Sequence, residues 1–450
     1  MPIRPFLPNS KPSRRHFLQG SGAASIGALI ASPPARGQTP TQPLPSRFST
    51  LMPLGSRVRP ITPAEFAERL QHAQQLMSVS SSAAQSPAAA AHVSQASRYD
   101  ALFLAPGSSL YYFTGIRWGL SERLLCLLLP RTGNPILVVP AFEEGRLREK
   151  LLFPFEVRAW QENESPTQLA ATALADRGIR TGRIGVEETV GFTFFDHLRQ
   201  AAPAFEYVSA DPITIACRGP KSAHELELMR LACDATFDVF RAVFASLKEG
   251  MSQDDIAQLV EGGFARMGLP GGALVLLGAS AALPHGSAKP QTLKEGDVVL
   301  IDGGCKVEGY ESDVTRTSVF GKPSEKLSRV FEIVRKSQDA ALDAARAGRL
   351  SGTVDDAARA VITNAGYGPD YKFFTHRLGH GIGLDGHEHP YLVRASKTTL
   401  EPGMTFSNEP GIYIPGEFGL RCEDDMVVAP DGPAQLLTQG FAISLEKPFA

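Results

Sequence analysis

His376-Arg377-Leu378-Gly379-His380-Gly381-Ile382-Gly383-Leu384-Asp385-Gly386-His387-Glu388-His389 holds four of the ten histidines in the chain. Glycines on both sides of His380 remove neighbouring bulk, so its imidazole can reach a ligand. Taken alone, the run reads equally well as a loop that happens to carry histidines.

Working outward, acids recur beside apolar strand signals. Phe406-Ser407-Asn408-Glu409-Pro410-Gly411 sets an acid after an apolar residue and before a turn. Leu420-Arg421-Cys422-Glu423-Asp424 leads into the apolar run Met426–Val428. Upstream, Val298-Val299-Leu300-Ile301 reads as a short buried strand ending in Asp302-Gly303-Gly304. Asp313 follows eleven positions later, at the start of the β-rich stretch Val314–Phe320. Two strands meeting across a turn would bring both carboxylates to one point. An ionised Asp at the end of an apolar strand is costly unless paired or metal-bound; by themselves the two also read as turn and edge aspartates. Taken together, Asp302, Asp313, Glu409 and Glu423 offer four carboxylates and His380 one imidazole. Four negative charges balance two divalent cations. Mostly oxygen ligands with one nitrogen suit Mn²⁺, and Co²⁺ or Zn²⁺ also fit. Two such ions roughly 3.5–4 Å apart can share carboxylates and one water, making it hydroxide near neutral pH.

In this order the residues resemble the pita-bread metallopeptidase family, which includes methionine aminopeptidase, aminopeptidase P and prolidase. The likeness runs through Leu283-Pro284-His285-Gly286, then Asp302 and Asp313 with Thr315-Arg316-Thr317. It continues through Gly379–Gly383 with His387 seven residues after His380, Asn408-Glu409-Pro410-Gly411 and Arg421-Cys422-Glu423-Asp424. The fold class it implies is α+β, a pita-bread (creatinase/aminopeptidase-like) catalytic domain over residues 218–450. It implies that Asp302 holds one metal, that Asp313 and Glu423 bridge both, and that His380 and Glu409 complete the second. A hydroxide bridging the two ions would attack the scissile carbonyl. Glu409 would pass the proton of the water to the leaving nitrogen. His285 and His387 would donate to the carbonyl oxygen, His376 would shape the leaving-residue pocket, and Arg421 would orient carboxylates from behind. His389 reads as a nearby loop histidine, and His224 as a solvated residue at a helix start.

Residues 61–217 alternate helix and strand signals, an α/β pattern. Strand-like runs stand at Ala101–Ala105, Leu124–Leu129, Ile136–Val139, Val157–Trp160, Ile184–Val186 and Tyr207–Ser209. Thr62-Pro63-Ala64-Glu65 opens a helix. Tyr111-Tyr112-Phe113-Thr114-Gly115 resembles the "YLTG" segment of creatinase-type N-terminal domains. Among members of the family such a domain accompanies aminopeptidase P and prolidase, so the resemblance implies an exopeptidase for Xaa-Pro bonds in proline-containing peptides, working as a homodimer. Residues 78–97, rich in Ser and Ala, read as an insertion or a helix extension. After the break at Arg218-Gly219-Pro220-Lys221-Ser222, a weak repeat appears. Ser222–Leu247 and Ser324–Ala347 are long helical stretches, each followed by a capping signal, Ser252-Gln253-Asp254-Asp255 and Thr353-Val354-Asp355-Asp356. Repeated halves suggest a pseudo-symmetric domain with a site between them.

Ser13-Arg14-Arg15-His16-Phe17-Leu18 reads as a twin-arginine export signal, with residues 1–37 as the signal and 38–60 as a mature tail rich in Pro, Ser and Thr. The apolar stretch from Leu18 to Ala31 is too short for a membrane span, so a periplasmic or otherwise exported protein with no stable span is expected. The chain has 450 residues, 43% apolar and 20% charged, with a net charge of −2. That balance gives no basic field for nucleic acid. Five scattered cysteines without a CxxC pair do not make a disulfide framework; Cys305 and Cys422 read as packing residues. Three other readings remain: a peptide-binding module without catalysis, a hydrolase of another bond such as a phosphotriester, and an exported redox enzyme. The first is disfavoured because no ligand position is vacant, the last because no GxGxxG follows a strand.

Overall fold

In the computed structural model, residues 43–78 and 98–449 are described. The signal at 1–37 and most of the Ser/Ala-rich stretch at 78–97 lie outside the described residues. The N-terminal domain is built on one six-stranded sheet, ordered β4-β3-β2-β1-β5-β6. Its strands are β1 Ala101–Leu104, β2 Cys126–Pro130, β3 Ile136–Pro140, β4 Glu156–Trp160, β5 Gly182–Val186 and β6 Phe205–Ser209. Every apolar run of residues 61–217 that reads as a strand in the sequence joins this sheet. β1, β2 and β3 are buried along their whole length, as central strands covered on both faces must be. Thr62 and Glu65 cap the helix Pro63–Ser78: the Glu65 amide donates to Thr62 Oγ1 at 3.3 Å and the Thr62 amide to Glu65 at 2.8 Å. The helix Ser108–Thr114 ends at Gly115 with φ 72°, where a Cβ would lie 2.6 Å from Leu152 and 3.0 Å from Phe66. Only glycine closes that turn against the packed core.

The residues expected to form a tail are partly docked. Phe48, Leu51 and Leu54 are buried. On the helix Gln253–Met267, a Cβ at Gly262 would meet Leu44 at 2.7 Å, and one at Gly263 would meet Phe48 at 3.2 Å. Two adjacent glycines thus floor a groove for the few apolar side chains of a Pro/Ser-rich stretch.

Among the described residues the catalytic half has two helix pairs, two larger sheets and a two-stranded hairpin sheet. Ser222 and Ser252 form complete capping boxes with Glu225 and Asp255, opening the helices Ala223–Phe244 and Gln253–Met267. These pack on β7 Gly271–Leu277 and β8 Val298–Val307. The second pair departs from expectation. Its second helix, Ser351–Ile362, starts before Thr353, because the Ser351 amide is held by the Thr398 carbonyl at 2.8 Å. The expected Thr353/Asp356 capping box therefore does not form: Thr353 Oγ1 donates to the Leu350 carbonyl at 2.7 Å and Asp356 pairs with Arg394 at 3.3 Å, while the neighbouring Asp355 is buried, pairs with Arg359 at 2.9 Å and accepts the Leu378 amide at 2.9 Å. His224 also differs from a solvated residue, since Nδ1 sits 2.8 Å from Glu65 and Nε2 2.8 Å from the Arg59 carbonyl.

β8 does not stop at Asp302 but continues to Val307. A Cβ at Gly304 would lie 1.9 Å from the Ser312 carbonyl oxygen, so glycine there lets the returning chain close on the strand. The chain turns at Glu308-Gly309, both with positive φ (50° and 90°), into β9 Tyr310–Glu311 and then β10 Val314–Val319. This is the two-residue hairpin geometry that matches strand twist. The other sheet is ordered β12-β11-β13-β16-β17, from β11 Gly379–Gly381, β12 Glu388–Leu392, β13 Thr405–Asn408, β16 Asp424–Val427 and β17 Gln435–Leu436. β14 Gly411–Ile414 and β15 Phe418–Arg421 form a hairpin. The two halves meet where the Glu423 amide donates to the Thr315 carbonyl at 3.2 Å. Behind this seam the fully buried Arg316 holds the Glu423 carbonyl at 2.7 Å and Asp424 at 2.6 Å. No described helix is long and apolar enough to cross a membrane.

Candidate metal centre

The five residues read as metal ligands come from five separate segments and converge. Asp302 lies on β8 directly opposite Thr315 of β10, and Asp313 immediately precedes β10. His380 lies on β11. Glycine on both sides lets the neighbouring strands approach, since a Cβ at Gly379 would meet the Ser407 carbonyl oxygen at 2.0 Å and one at Gly381 the His389 carbonyl oxygen at 2.3 Å. Glu409 follows β13, and Glu423 sits between β15 and β16. Asp302, Asp313 and Glu423 offer ligand atoms within 4.8 Å of one another, and so do His380, Glu409 and Glu423. The two groups share Glu423. Asp313 stands 3.8 Å from His380 Nε2, and Glu409 3.4 Å from it.

The electrostatics call for added positive charge. Burial and then the neighbouring carboxylates, Asp302 foremost, push Asp313 well above the usual carboxylate range. Burial, Asp313 and Glu409 do the same to Glu423. Burial, partly offset by Arg421 and reinforced by Asp302, pushes Glu409 up to about 8. Asp302 alone goes the other way: burial opposes its charge, but the Arg421 guanidinium bonded to it outweighs burial. Burial and then His387 push His380 down to about 3, leaving a neutral imidazole with a free lone pair. A compact set of oxygens and one neutral imidazole, short of cations, fits two divalent ions.

Around this set are residues that fix it. Thr315 donates to Glu423 at 2.6 Å and accepts from Arg421 Nε at 3.1 Å. Arg421 thus hydrogen-bonds Asp302 and Thr315, and its charge also acts directly on Glu423 and Glu409. The Asp313 amide donates to Asp425 at 2.9 Å. Burial is the main cause that pushes Asp425 up to about 8. Tyr413, unassigned from sequence, lies 2.8 Å from His376 Nε2 and accepts from Arg421 at 2.7 Å. Its signal was a polar ring tip inside the apolar run Gly411-Ile412-Tyr413-Ile414.

Among the four flanking histidines, His387 comes closest to the cluster. Its ring stacks on His380, and with Asp313 it forms a third possible ligand group. His376 is 3.7 Å from Glu409. Burial and then Arg421 push it down to about 3. His285, exposed on the loop before β8, is close enough to His376 and His387 for its charge to lower both. His389 instead packs against Tyr391, with ring centroids 4.9 Å apart. All five cysteines are free and buried, Cys305 and Cys422 among them.

Comparison with known proteins identifies the family. Residues 227–430 match the metallopeptidase family M24, and residues 89–219 match the creatinase/prolidase N-terminal domain. A putative dipeptidase of Bacillus subtilis is 34% identical over 76% of this chain and 94% of its own. An Xaa-Pro dipeptidase of Lactobacillus helveticus is 32% identical over 75% of this chain and 92% of its own. The crystal structure of a recombinant prolidase from Thermococcus sibiricus superposes with a TM-score of 0.72 at 31% identity, covering 83% of this chain and 97% of that one. With a complete set of candidate ligands on the pita-bread fold and relatives aligned over nearly their whole length, the chain belongs to metallopeptidase family M24.

Proposed function

We propose that this chain is a metal-dependent exopeptidase that hydrolyses the peptide bond in front of proline, in Xaa-Pro dipeptides and in longer peptides. The observation that carries the reading is the pair of ligand groups joined at Glu423, with His387 stacked on one of them. The Xaa-Pro dipeptidase and prolidase relatives support the proline preference. Asp302, Asp313, His380, Glu409 and Glu423 hold two divalent ions, with Mn²⁺ best suited to so many oxygens. When bound, the ions supply Lewis acidity that activates a water and polarises the scissile carbonyl.

The rest falls to the side chains. Glu409 takes the proton of the attacking water at a carboxylate oxygen and delivers it to the proline nitrogen. Burial, then Arg377, keeps His387 neutral, so it has one ring N–H to donate to the carbonyl oxygen as negative charge grows there; His285 adds a second donor. Tyr413 fixes the ring of His376, which borders the leaving-residue pocket. Proline suits such a site because its nitrogen carries no N–H and demands no acceptor, while its ring fills a compact space. Release of the N-terminal residue from Xaa-Pro dipeptides and Xaa-Pro-Xaa tripeptides by the metal-loaded protein tests the reading; no release from either contradicts it.

Twin-arginine export and a homodimer complete the proposal, supported by Arg14-Arg15 and by family likeness. Unchanged periplasmic yield after Arg14→Lys with Arg15→Lys removes the first, and a monomeric mass in solution removes the second.

A further inference from the structure

A cavity of about 230 Å³ lies between the two domains, lined among others by Glu187, Glu188 and Asp211 on one side and by Asp385 and His387 on the other, with Arg218 at the junction. It touches the metal cluster through His387, whose ring stacks on His380 at 3.6 Å.

The charges in its wall do not balance. Arg218 donates to Asp385 at 2.6 Å and to Glu388 at 2.6 Å, and Lys221 donates to Glu388 at 2.5 Å. Two cations and two carboxylates cancel there. Glu187, Glu188 and Asp211 are left, and none forms an ion pair among the described residues. Glu187 is only 7% exposed, and its Oε2 is buried with no hydrogen-bond partner; burial raises its pKa, although hydrogen bonds with Ser109 and Thr189 and the Arg218 charge work against this. A buried carboxylate oxygen without a donor is costly and is retained where something donates to it. Burial and then a hydrogen bond with Glu188 push Asp211 up to about 7, so those two carboxyls already crowd each other for want of a cation. A positively charged hydrogen-bond donor meets both needs.

We infer that this interdomain cavity is a subsite for a cationic group of the peptide substrate, an ammonium or guanidinium, received by Glu187, Glu188 and Asp211. The inference rests on the reading of the adjoining cluster as a peptide-cleaving site. A peptide held with its scissile bond beside His387 brings a flanking residue to the mouth of the cavity. A lysine or arginine end is of a size for this volume, and Glu187 is part of the wall that it would meet. The basic residue is either the one before proline or one after it.

Two peptide pairs separate those sources: Lys-Pro against norleucyl-Pro, and Ala-Pro-Lys against Ala-Pro-norleucine, with kcat/KM measured at low ionic strength. In one pair the lysine peptide should be preferred about tenfold, as expected for a charge pair in a partly dehydrated site. The double variant Glu187→Gln, Asp211→Asn should bring that ratio close to one. Glu188→Lys, at an exposed position that tolerates change, should invert it. The neutral peptide in each pair controls for loss of fold. Binding is read separately by calorimetry on the metal-loaded protein with the D-proline versions of the same peptides, which need not be cleaved. Lysine preference in binding without cleavage of any L-peptide supports the subsite while overturning the proposed activity. Cleavage with no lysine preference in either pair, or with a preference that both variants keep, overturns the subsite and leaves the activity standing. A third divalent ion per chain, lost in the double variant, also overturns it by assigning the cavity to a metal.

Discussion

The His387 ring stacks on the His380 ring with centroids 3.6 Å apart and planes inclined by 22°. One side chain at the cluster and one facing the substrate space therefore share a surface. Replacing His387 by phenylalanine keeps a flat ring over His380 but removes the donor N–H. His387→Phe should keep the metal content of the wild type while kcat falls by about 10²–10³, the usual cost of losing one donor to a developing oxyanion. Metal analysis with steady-state kinetics checks this. Loss of metal along with activity would mean that His387 is itself a ligand.

Thr315 is a second lever, one step behind the ligands. It donates to Glu423 and accepts from Arg421. Thr315→Val keeps the β-branched shape that β10 favours and removes both hydrogen bonds. Metal affinity should fall by roughly 10–100-fold, as for other residues that orient ligands. Titration against a competing chelator measures it, and an unchanged affinity would show that Glu423 is positioned without Thr315.

Metal binding should release protons. With Glu409 at about 8, its carboxyl is mostly protonated at pH 7 in the metal-free protein. A ligand must lose that proton to bind. Affinity should therefore rise as pH climbs from 6 toward 8 and flatten above. Calorimetry in buffers of different ionisation enthalpy should show net proton release at pH 7. Zero release, or proton uptake, would contradict this picture of the cluster.

The ligand set of the catalytic half was legible in the sequence for a physical reason. Ligands need fixed residue types next to glycines and turns, so Asp302, Asp313, His380, Glu409 and Glu423 stand out as an ordered set, though each cluster alone also reads as ordinary turn or loop residues. The strands of the N-terminal sheet were equally plain, because buried strands are nearly continuous apolar runs. What stayed hidden was pairing across long distances. Nothing local joins Tyr413 to His376, or Arg218 and Lys221 to Glu388, until distant segments of the chain fold together. The Thr353/Asp356 capping box does not form, because the helix begins upstream at Ser351 and Asp356 pairs with Arg394 instead. Leu44 and Phe48 were missed because the groove that receives them is made by two absent side chains, Gly262 and Gly263.

The junction of the domains carries a pH dependence. Burial works against the charge of Glu388, but Lys221 and Arg218 outweigh it and hold its pKa below the ordinary 4.5. A carboxyl with a lowered folded pKa adds stability above its unfolded value and loses it as pH falls through the folded one. Lys221→Met should cost roughly 3 kcal/mol at pH 7, because it takes one cation from a buried carboxylate. The difference from wild type should shrink as pH drops below 4.5. Denaturant unfolding at pH 7 and below pH 4 tests this, and a constant difference would show that Lys221 acts by packing alone.

The central claim is that the cluster cleaves ahead of proline from a free N-terminus. Its most direct test is kcat/KM for Ala-Pro, Ala-Pro-Ala, Ala-Ala-Ala and N-acetyl-Ala-Pro-Ala with the Mn²⁺-loaded protein. The account predicts that Ala-Pro and Ala-Pro-Ala are both cut, that Ala-Ala-Ala and the acetylated peptide are poor substrates, and that Asp313→Ala abolishes all cleavage. Cleavage of Ala-Ala-Ala, or of the acetylated peptide, as fast as Ala-Pro-Ala would contradict it.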